Sequence, residues 1–372
     1  MTSAALPAMT VGARPARVRA ALEGAGCDAL LVTRLPNVRY LTGFTGSAGM
    51  VLVSGDGVVL LTDGRYDTQS HEQVEAAGVD AQIVIASHAE QLDRLRGVVA
   101  PVRRLGLEAH GVTWAQQRAW AKAFEGVELV ATDDLVEGLR LVKEPGEVAR
   151  IHAACSIADA ALAATLPMLA SRPTERDFAL ALEVAMRERG ASGTSFDTIV
   201  ASGPNGALPH ARPTARRVEA GELVVIDFGC IVDGYCSDMT RTVSVGDPGP
   251  QARHLWDVVR ASQAAGRDAV GTGVACADVD QASRAVIEAA GWGDEFSHGT
   301  GHGVGLEIHE SPRVAKAAGG TLDAGVVVTV EPGVYLPGVG GVRLEDTVVV
   351  TESGCDALTS FPKHLEIESA AA

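Results

Sequence analysis

Val224-Val225-Ile226-Asp227-Phe228-Gly229 is a β-branched run that closes on an acid, and Cys236-Ser237-Asp238-Met239-Thr240-Arg241-Thr242 brings a second acid soon after it. A carboxylate at the end of a buried strand is costly unless it is paired or bound to a metal. Asp233-Gly234 lies between the two and reads as a hairpin turn. Two antiparallel strands joined there would bring Asp227 and Asp238 together. Taken singly, each Asp is more often a cap or turn residue, so the pair draws its meaning from its surroundings.

Working outward, strands are expected near 194–202 and 222–243, helices near 250–270 and 277–290, a Gly-rich loop near 298–305, and final strands near 325–331 and 341–351. Upstream, Lys143-Glu144-Pro145-Gly146-Glu147 starts a long helix towards Pro167, since Pro suits a first turn and Glu147 a helix N-terminus. A second helix follows Arg172-Pro173-Thr174, where Thr174 and Asp177 have capping-box spacing. Helices before and between antiparallel strands make residues 141–372 an α+β domain. Residues 1–140 differ in texture. An amphipathic stretch, Pro15–Gly24, leads to the apolar run Ala29–Thr33 and a hairpin of Met50–Ser54 with Val58–Thr62. Helices near 67–77, 88–98 and 113–123 then alternate with strands near 82–85, 104–107 and 127–130, the pattern of an α/β layer with a partly parallel sheet. Gly43-Phe44-Thr45-Gly46-Ser47 lacks the Lys and the spacing of a phosphate loop. This half carries no catalytic constellation of its own.

Three further clusters lie in the second half. His298-Gly299-Thr300-Gly301-His302 has the i, i+4 spacing of helical zinc ligands, and His309 follows. Alternating glycines disfavour a helix there, and no His-Glu-x-x-His is present, so a loop holding imidazoles close to backbone is expected. Glu331, before Pro332-Gly333-Val334-Tyr335, again ends a buried strand. In Val342-Arg343-Leu344-Glu345-Asp346, period-two alternation puts Arg343 and Glu345 on one face and Asp346 on the other. By itself the Arg343–Glu345 pair reads as a surface ion pair of little worth. Together, four strand-borne carboxylates (Asp227, Asp238, Glu331, Glu345) and one imidazole fit a site for two divalent cations, whose charge offsets the carboxylates' mutual repulsion. Oxygen-rich ligation with a single His favours Mn²⁺, while Co²⁺ and Zn²⁺ also fit.

Composition narrows the function classes. Of 372 residues, 47% are apolar and 21% charged, a globular balance that excludes a disordered or collagen-like chain. Net charge is -16, and residues 141–372 hold 31 acidic against 18 basic side chains. Such a surface repels nucleic-acid phosphates and suits cations or amine-bearing ligands. No apolar run reaches the ~18 residues of a membrane span. Met1–Arg14 lacks a basic start and a continuous apolar stretch, so no secretory signal and a cytoplasmic protein are expected. The six cysteines form no Cys-x-x-Cys pair and read as buried, reduced thiols.

Asp227, Asp238, His302, Glu331 and Glu345, in this order and with these flanks, resemble the ligand set of the pita-bread metallopeptidases, in the Xaa-Pro branch of aminopeptidase P and prolidase. Asn37-Val38-Arg39-Tyr40-Leu41-Thr42-Gly43-Phe44 and Thr62-Asp63-Gly64-Arg65-Tyr66 resemble the creatinase-like N-terminal domain. Phe196-Asp197-Thr198-Ile199-Val200-Ala201-Ser202-Gly203, continuing to His210, resembles the lead-in to that family's first substrate-side His. The resemblance implies an α/β creatinase-like N-terminal domain (1–140) followed by an α+β pita-bread catalytic domain (141–372). It also implies roles. Asp227 would chelate one metal, Asp238 and Glu345 bridge both, and His302 and Glu331 complete the other's shell. A bridging water would be the nucleophile, and Glu331 would help carry its proton. His210 and His309 would stabilise the oxyanion or position the peptide. His298, Tyr335 and Arg343 would line the proline side, with Arg343 supporting Glu345. The implied activity is metal-dependent cleavage between an N-terminal residue and proline, on peptides with proline second, by a homodimer touching neither nucleic acid nor membrane. The alternatives are a dipeptidase restricted to Xaa-Pro, creatine-type amidinohydrolysis, and a non-catalytic peptide-binding protein on the same fold.

Overall fold

The structure, a computed structural model, describes residues 6–367; residues 1–5 of the N-terminal stretch read above lie outside the described residues. The described chain divides into two compact units, residues 8–140 and residues 141–367, the latter joined by Leu6 and Pro7.

In the first unit, helices α1 (Arg14–Leu22), α2 (Leu35–Thr42), α3 (Asp67–Ala76), α4 (Gln91–Val99), α5 (Trp114–Ala123) and α6 (Leu135–Arg140) surround one sheet. Its strands are β1 (Ala29–Val32), β2 (Met50–Ser54), β3 (Gly57–Thr62), β4 (Gln82–Ile85), β5 (Arg104–Glu108) and β6 (Glu128–Thr132), in the order β4-β3-β2-β1-β5-β6. Pairing is antiparallel through the β1-β2-β3 meander and parallel at β3-β4, β1-β5 and β5-β6. Leu31, Leu52, Leu105, Trp120 and Phe124 form its core.

The second unit opens with α7 (Pro145–Thr165) and α8 (Glu175–Glu188), each begun by a capping box, Glu144 with Glu147 and Thr174 with Asp177. With the short turn after it, α7 is long and apolar enough in composition to span a bilayer, with a mean hydropathy of 1.6. Its Ile151 is buried, and its Ala154, Ala158, Ala161 and Leu162 join the core with Phe178, Leu182, Val224, Ile226 and Met239. The strand expected over 194–202 is two, β7 (Gly193–Thr194) and β8 (Ile199–Ser202), in different sheets. β9 (Leu223–Phe228), β10 (Cys230–Val232), β11 (Tyr235–Cys236) and β12 (Met239–Val245) follow. Asp233 and Gly234 turn β10 into β11 with positive φ of 44° and 77°, as a two-residue hairpin of the primed type requires. The register of β9 on β12 sets Asp227 opposite Thr240.

After α9 (Gly249–Ala269) and α10 (Cys276–Ala289) come β13 (Gly301–Gly303), β14 (Glu310–Val314), β15 (Val327–Val330), β16 (Gly333–Leu336), β17 (Gly340–Arg343), β18 (Asp346–Thr351) and β19 (Gly354–Ala357). Two expectations are corrected here. The Gly-rich segment is not all loop: β13 lies inside the sheet β14-β13-β15-β18-β19, with His302 at its centre. Its glycines permit close approach, since a Cβ on Gly301 would sit 1.9 Å from the Thr329 carbonyl oxygen. The single strand expected over 341–351 breaks at Leu344-Glu345. There the chain passes from the β16-β17 hairpin to the larger sheet, and the Glu345 N–H donates to the carbonyl of Thr240 on β12 at 3.1 Å.

Candidate metal centre

Asp227 near the end of β9, Asp238 just before β12 and Glu345 in the break between β17 and β18 each offer a carboxylate oxygen within 4.8 Å of the other two. Asp227 pairs with Thr240 of β12, Glu345 donates to the Thr240 carbonyl and Asp238 directly precedes that strand, which explains how residues so distant in sequence converge. Burial first, then the neighbouring carboxylates, pushes Asp238 and Glu345 well above the usual carboxylate range. Asp227 is raised less, because Arg343 opposes its burial. Glu331, one residue past β15, is held down to about 2: burial would raise it, but the hydrogen bond and charge of His302 outweigh that.

The donor set has the chemistry of a cation site. Asp227 Oδ1 and Glu345 Oε1 are buried with no hydrogen-bond partner among the described residues. His302 Nδ1 lies 3.0 Å from the Gly303 carbonyl, which only accepts, so Nδ1 carries the hydrogen and Nε2 a lone pair in the neutral ring. That Nε2 faces Asp238 Oδ2 at 3.5 Å and Glu331 Oε1 at 3.3 Å. In the metal-free protein a proton shared by His302 Nε2 and Glu331 occupies this gap, and a divalent cation could take its place between the same lone pairs. The residues present therefore fit divalent metal.

Family comparison agrees with the geometry. Residues 149–352 match the family described as metallopeptidase family M24, and residues 14–142 match the creatinase/prolidase N-terminal domain. The chain belongs to metallopeptidase family M24. It is 40% identical to the uncharacterized peptidase YqhT of Bacillus subtilis over 92% of its own length and 96% of that protein's. Among solved structures it is similar to an Xaa-Pro dipeptidase from Bacillus anthracis (TM-score 0.92, 38% identity, 96% of this chain and 100% of that one). It is also similar to an X-Pro aminopeptidase from Thermotoga maritima (TM-score 0.87, 34% identity, 95% and 100%). The family is one of metallopeptidases, and the carboxylate cluster could hold divalent ions.

In this M24 chain the cluster lies in a cleft of about 750 Å³ that His210, His298, His302, His309 and Arg343 also line. The His302 and His309 rings meet edge to face, 4.4 Å between centroids. Burial, then His302, lowers the His309 pKa, so its imidazole is neutral. Tyr335 is not at the cleft surface as expected; it is buried behind the wall and acts through its hydroxyl. Arg343 Nη1 donates to that hydroxyl at 2.7 Å, so the phenol hydrogen goes to His298 Nε2 at 2.8 Å, leaving His298 Nδ1–H for the Gly299 carbonyl at 2.8 Å.

Arg343 and Glu345 are no surface pair, being only 3% and 1% exposed. Nor does Arg343 support Glu345 directly. Its Nη2 pairs with Asp227 Oδ2 at 2.5 Å, and its Nε reaches Thr240 Oγ1 at 3.1 Å, which in turn donates to Glu345 Oε2 at 2.7 Å. Thr240 was missed from sequence, as was Thr329, whose hydroxyl donates to Glu331 Oε1 at 3.0 Å and accepts from the His302 N–H at 3.1 Å. Each lies two residues from an assigned acid, Asp238 or Glu331, and the period-two rule that paired Arg343 with Glu345 was the signal for both.

Proposed function

We propose that the chain is an Xaa-Pro exopeptidase, an aminopeptidase that frees the N-terminal residue from peptides with proline second, using two Mn²⁺ ions. The observation that carries this reading is the convergence of Asp227, Asp238 and Glu345 in a cleft that also presents His210, His298 and His309. Asp227, Asp238, Glu345, His302 and Glu331 would hold the ions, whose bound chemistry is Lewis acidity and a water of lowered pKa. The oxygen-rich donor set with one imidazole supports Mn²⁺. Glu331, ionised beside His302, is the base that takes up a proton and returns it to the leaving nitrogen. His309, neutral, and His210 supply N–H donors to the oxygen on which charge develops. Proline's peptide nitrogen bears no hydrogen, so ordinary backbone recognition fails there. The wall of His298 and Arg343, stiffened by Tyr335, supplies a fixed surface for the ring instead. Free thiols at all six cysteines support a cytoplasmic setting. The homodimer rests on family resemblance and is tested by light scattering in solution.

One observation favours a second reading, the Xaa-Pro dipeptidase. Arg313 lines the cleft, is exposed, and makes no ion pair among the described residues. A dipeptide's proline carboxylate would find an unspent guanidinium there, whereas Arg343 is committed to Asp227, Tyr335 and Thr240. Paired Xaa-Pro and Xaa-Pro-Yaa substrates with Mn²⁺ decide between the two. The aminopeptidase reading expects kcat/KM on the tripeptide at least equal to that on the dipeptide. Cleavage of dipeptides alone, with an Arg313→Ala rise in KM, would establish the dipeptidase.

A further inference from the structure

Glu175, the first residue of α8, is fully buried, lies outside the cleft lining, and forms no ion pair among the described residues. A buried carboxylate is costly unless its lone pairs are met, and every direct donor to this one is neutral, the Arg216 guanidinium standing one hydrogen bond away at Ser202 Oγ. Its Oε1 accepts from the Ser202 N–H at 2.7 Å, Ser202 Oγ at 2.8 Å and Asn205 Nδ2 at 3.0 Å. Its Oε2 accepts from the Thr214 N–H at 2.9 Å, Thr214 Oγ1 at 2.6 Å and Asn205 Nδ2 at 3.1 Å. Those donors stand at the two ends of one excursion of the chain. It leaves β8 at Ser202 and returns at Thr214, where backbone bonds from Glu175 N to Arg216 O and from Arg176 N to Thr214 O dock it on the start of α8.

His210 rides this excursion, in a stretch from Leu208 to Thr214 that has no helix or strand of its own. Its imidazole lines the same cleft as those of His298 and His309. Near the tip the side-chain tethers are Arg343 Nη1 to the Pro209 carbonyl at 3.2 Å and an exposed Arg212–Asp197 ion pair at 3.3 Å, with Arg176 Nε on the Pro213 carbonyl at 3.2 Å. A catalytic group on irregular backbone needs its base fixed if it is to stay within a fraction of an ångström of its working position.

We infer that Glu175 is the positioning residue of His210: by tying Ser202, Asn205 and Thr214 to one carboxylate, it fixes the loop that presents the imidazole to the cleft. The inference rests on the reading of His210 as a group that serves the substrate. In Glu175→Gln the amide NH₂ must face donors on one side, so the base of the loop opens while the metal-holding strands are untouched.

The test is a double-mutant cycle of Glu175→Gln with His210→Ala in the Mn²⁺-loaded enzyme, reading kcat on an Ala-Pro peptide and, by calorimetry, Mn²⁺ affinity of the metal-free protein. Glu175→Gln should lower kcat by about tenfold in the wild-type background, leave Mn²⁺ affinity within about twofold, and cost nothing further in the His210→Ala background. Equal losses in both backgrounds, or no loss in the wild type, would overturn the inference while leaving the role of His210 intact. Undiminished kcat in His210→Ala alone would remove that role, and the inference with it. If Glu175→Gln does not fold, Thr214→Val carries the same cycle, because it deletes one donor and keeps the carboxylate: a loss of about threefold that vanishes in the His210→Ala background supports the inference, and an additive or absent loss refutes it.

Discussion

Replacing Asp238 by Asn removes one of three carboxylates that repel one another across 4.8 Å, so the metal-free protein should melt no lower than wild type while Mn²⁺ affinity collapses. Asp346, the chain neighbour of Glu345 on the other face, gives the opposite pattern. It accepts from Arg241 Nη2 at 3.0 Å, Lys363 Nζ at 2.5 Å and Gln263 Nε2 at 3.0 Å, all on the far side from the metal ligands. Asp346→Asn leaves the buried Arg241 and the half-buried Lys363 short of a partner, and chemical denaturation should show a loss of about 3–5 kcal/mol. A similar contrast holds for the imidazoles. His302→Ala should strip metal from the protein, as elemental analysis would show, whereas His309→Ala should keep it and lower kcat. If both variants lost metal equally, the separation of ligand from oxyanion donor would be wrong. The acids and imidazoles were legible in sequence because a charge at the end of a β-branched run, or a His among glycines, is locally anomalous. Arg343's choice of Asp227 was not, since the pair is formed across 116 positions and no local pattern encodes it.

Strand-level expectations succeeded where one rule governed and failed where sheets meet. Caps, hairpin turns and alternation located α1, α3 to α5, α7 to α10 and most of the longer strands, but carried no expectation for α2, α6, β14, β16 or β19. The break at Leu344-Glu345 was illegible because its cause is a hydrogen bond to β12, a different part of the chain. The glycines of β13 were read as a loop holding imidazoles close to backbone; the close approach is present, but on a strand inside a sheet. Gly301→Ala should therefore push β13 from β15 and displace His302, with about 1–3 kcal/mol of destabilisation from overpacking and weaker Mn²⁺ binding in the same titration. Glu175, at the start of α8, carries a pH signature. Burial would raise its pKa, but hydrogen bonds from Thr214 and Ser202 win and lower it. A depressed folded-state pKa contributes stability that is present above the unfolded value, ~4.3, and is lost as pH falls through the folded one. The stability gap between wild type and Glu175→Gln should be constant at neutral pH and shrink only under acid. A gap that grew on acidification would contradict the assignment.

At the scale of the whole molecule, the change of texture near residue 140 and the division between Arg140 and Leu141 coincide. Much of the acid excess that sequence places in the second half is surface charge, but four of those acids form the site. Without cations, Asp227, Asp238 and Glu345 oppose folding; with them, the same residues favour it. The melting temperature should thus rise with Mn²⁺ concentration, by the equivalent of about 2.7 kcal/mol at one hundred times the dissociation constant. The most direct test of the account is turnover of an Xaa-Pro-Yaa tripeptide by protein exhaustively chelated, with metal absence verified, and then reloaded with Mn²⁺. The account predicts no turnover before reloading, full turnover after it, and at least ~10-fold lower kcat/KM when alanine replaces proline. Full turnover by the metal-free protein would contradict it.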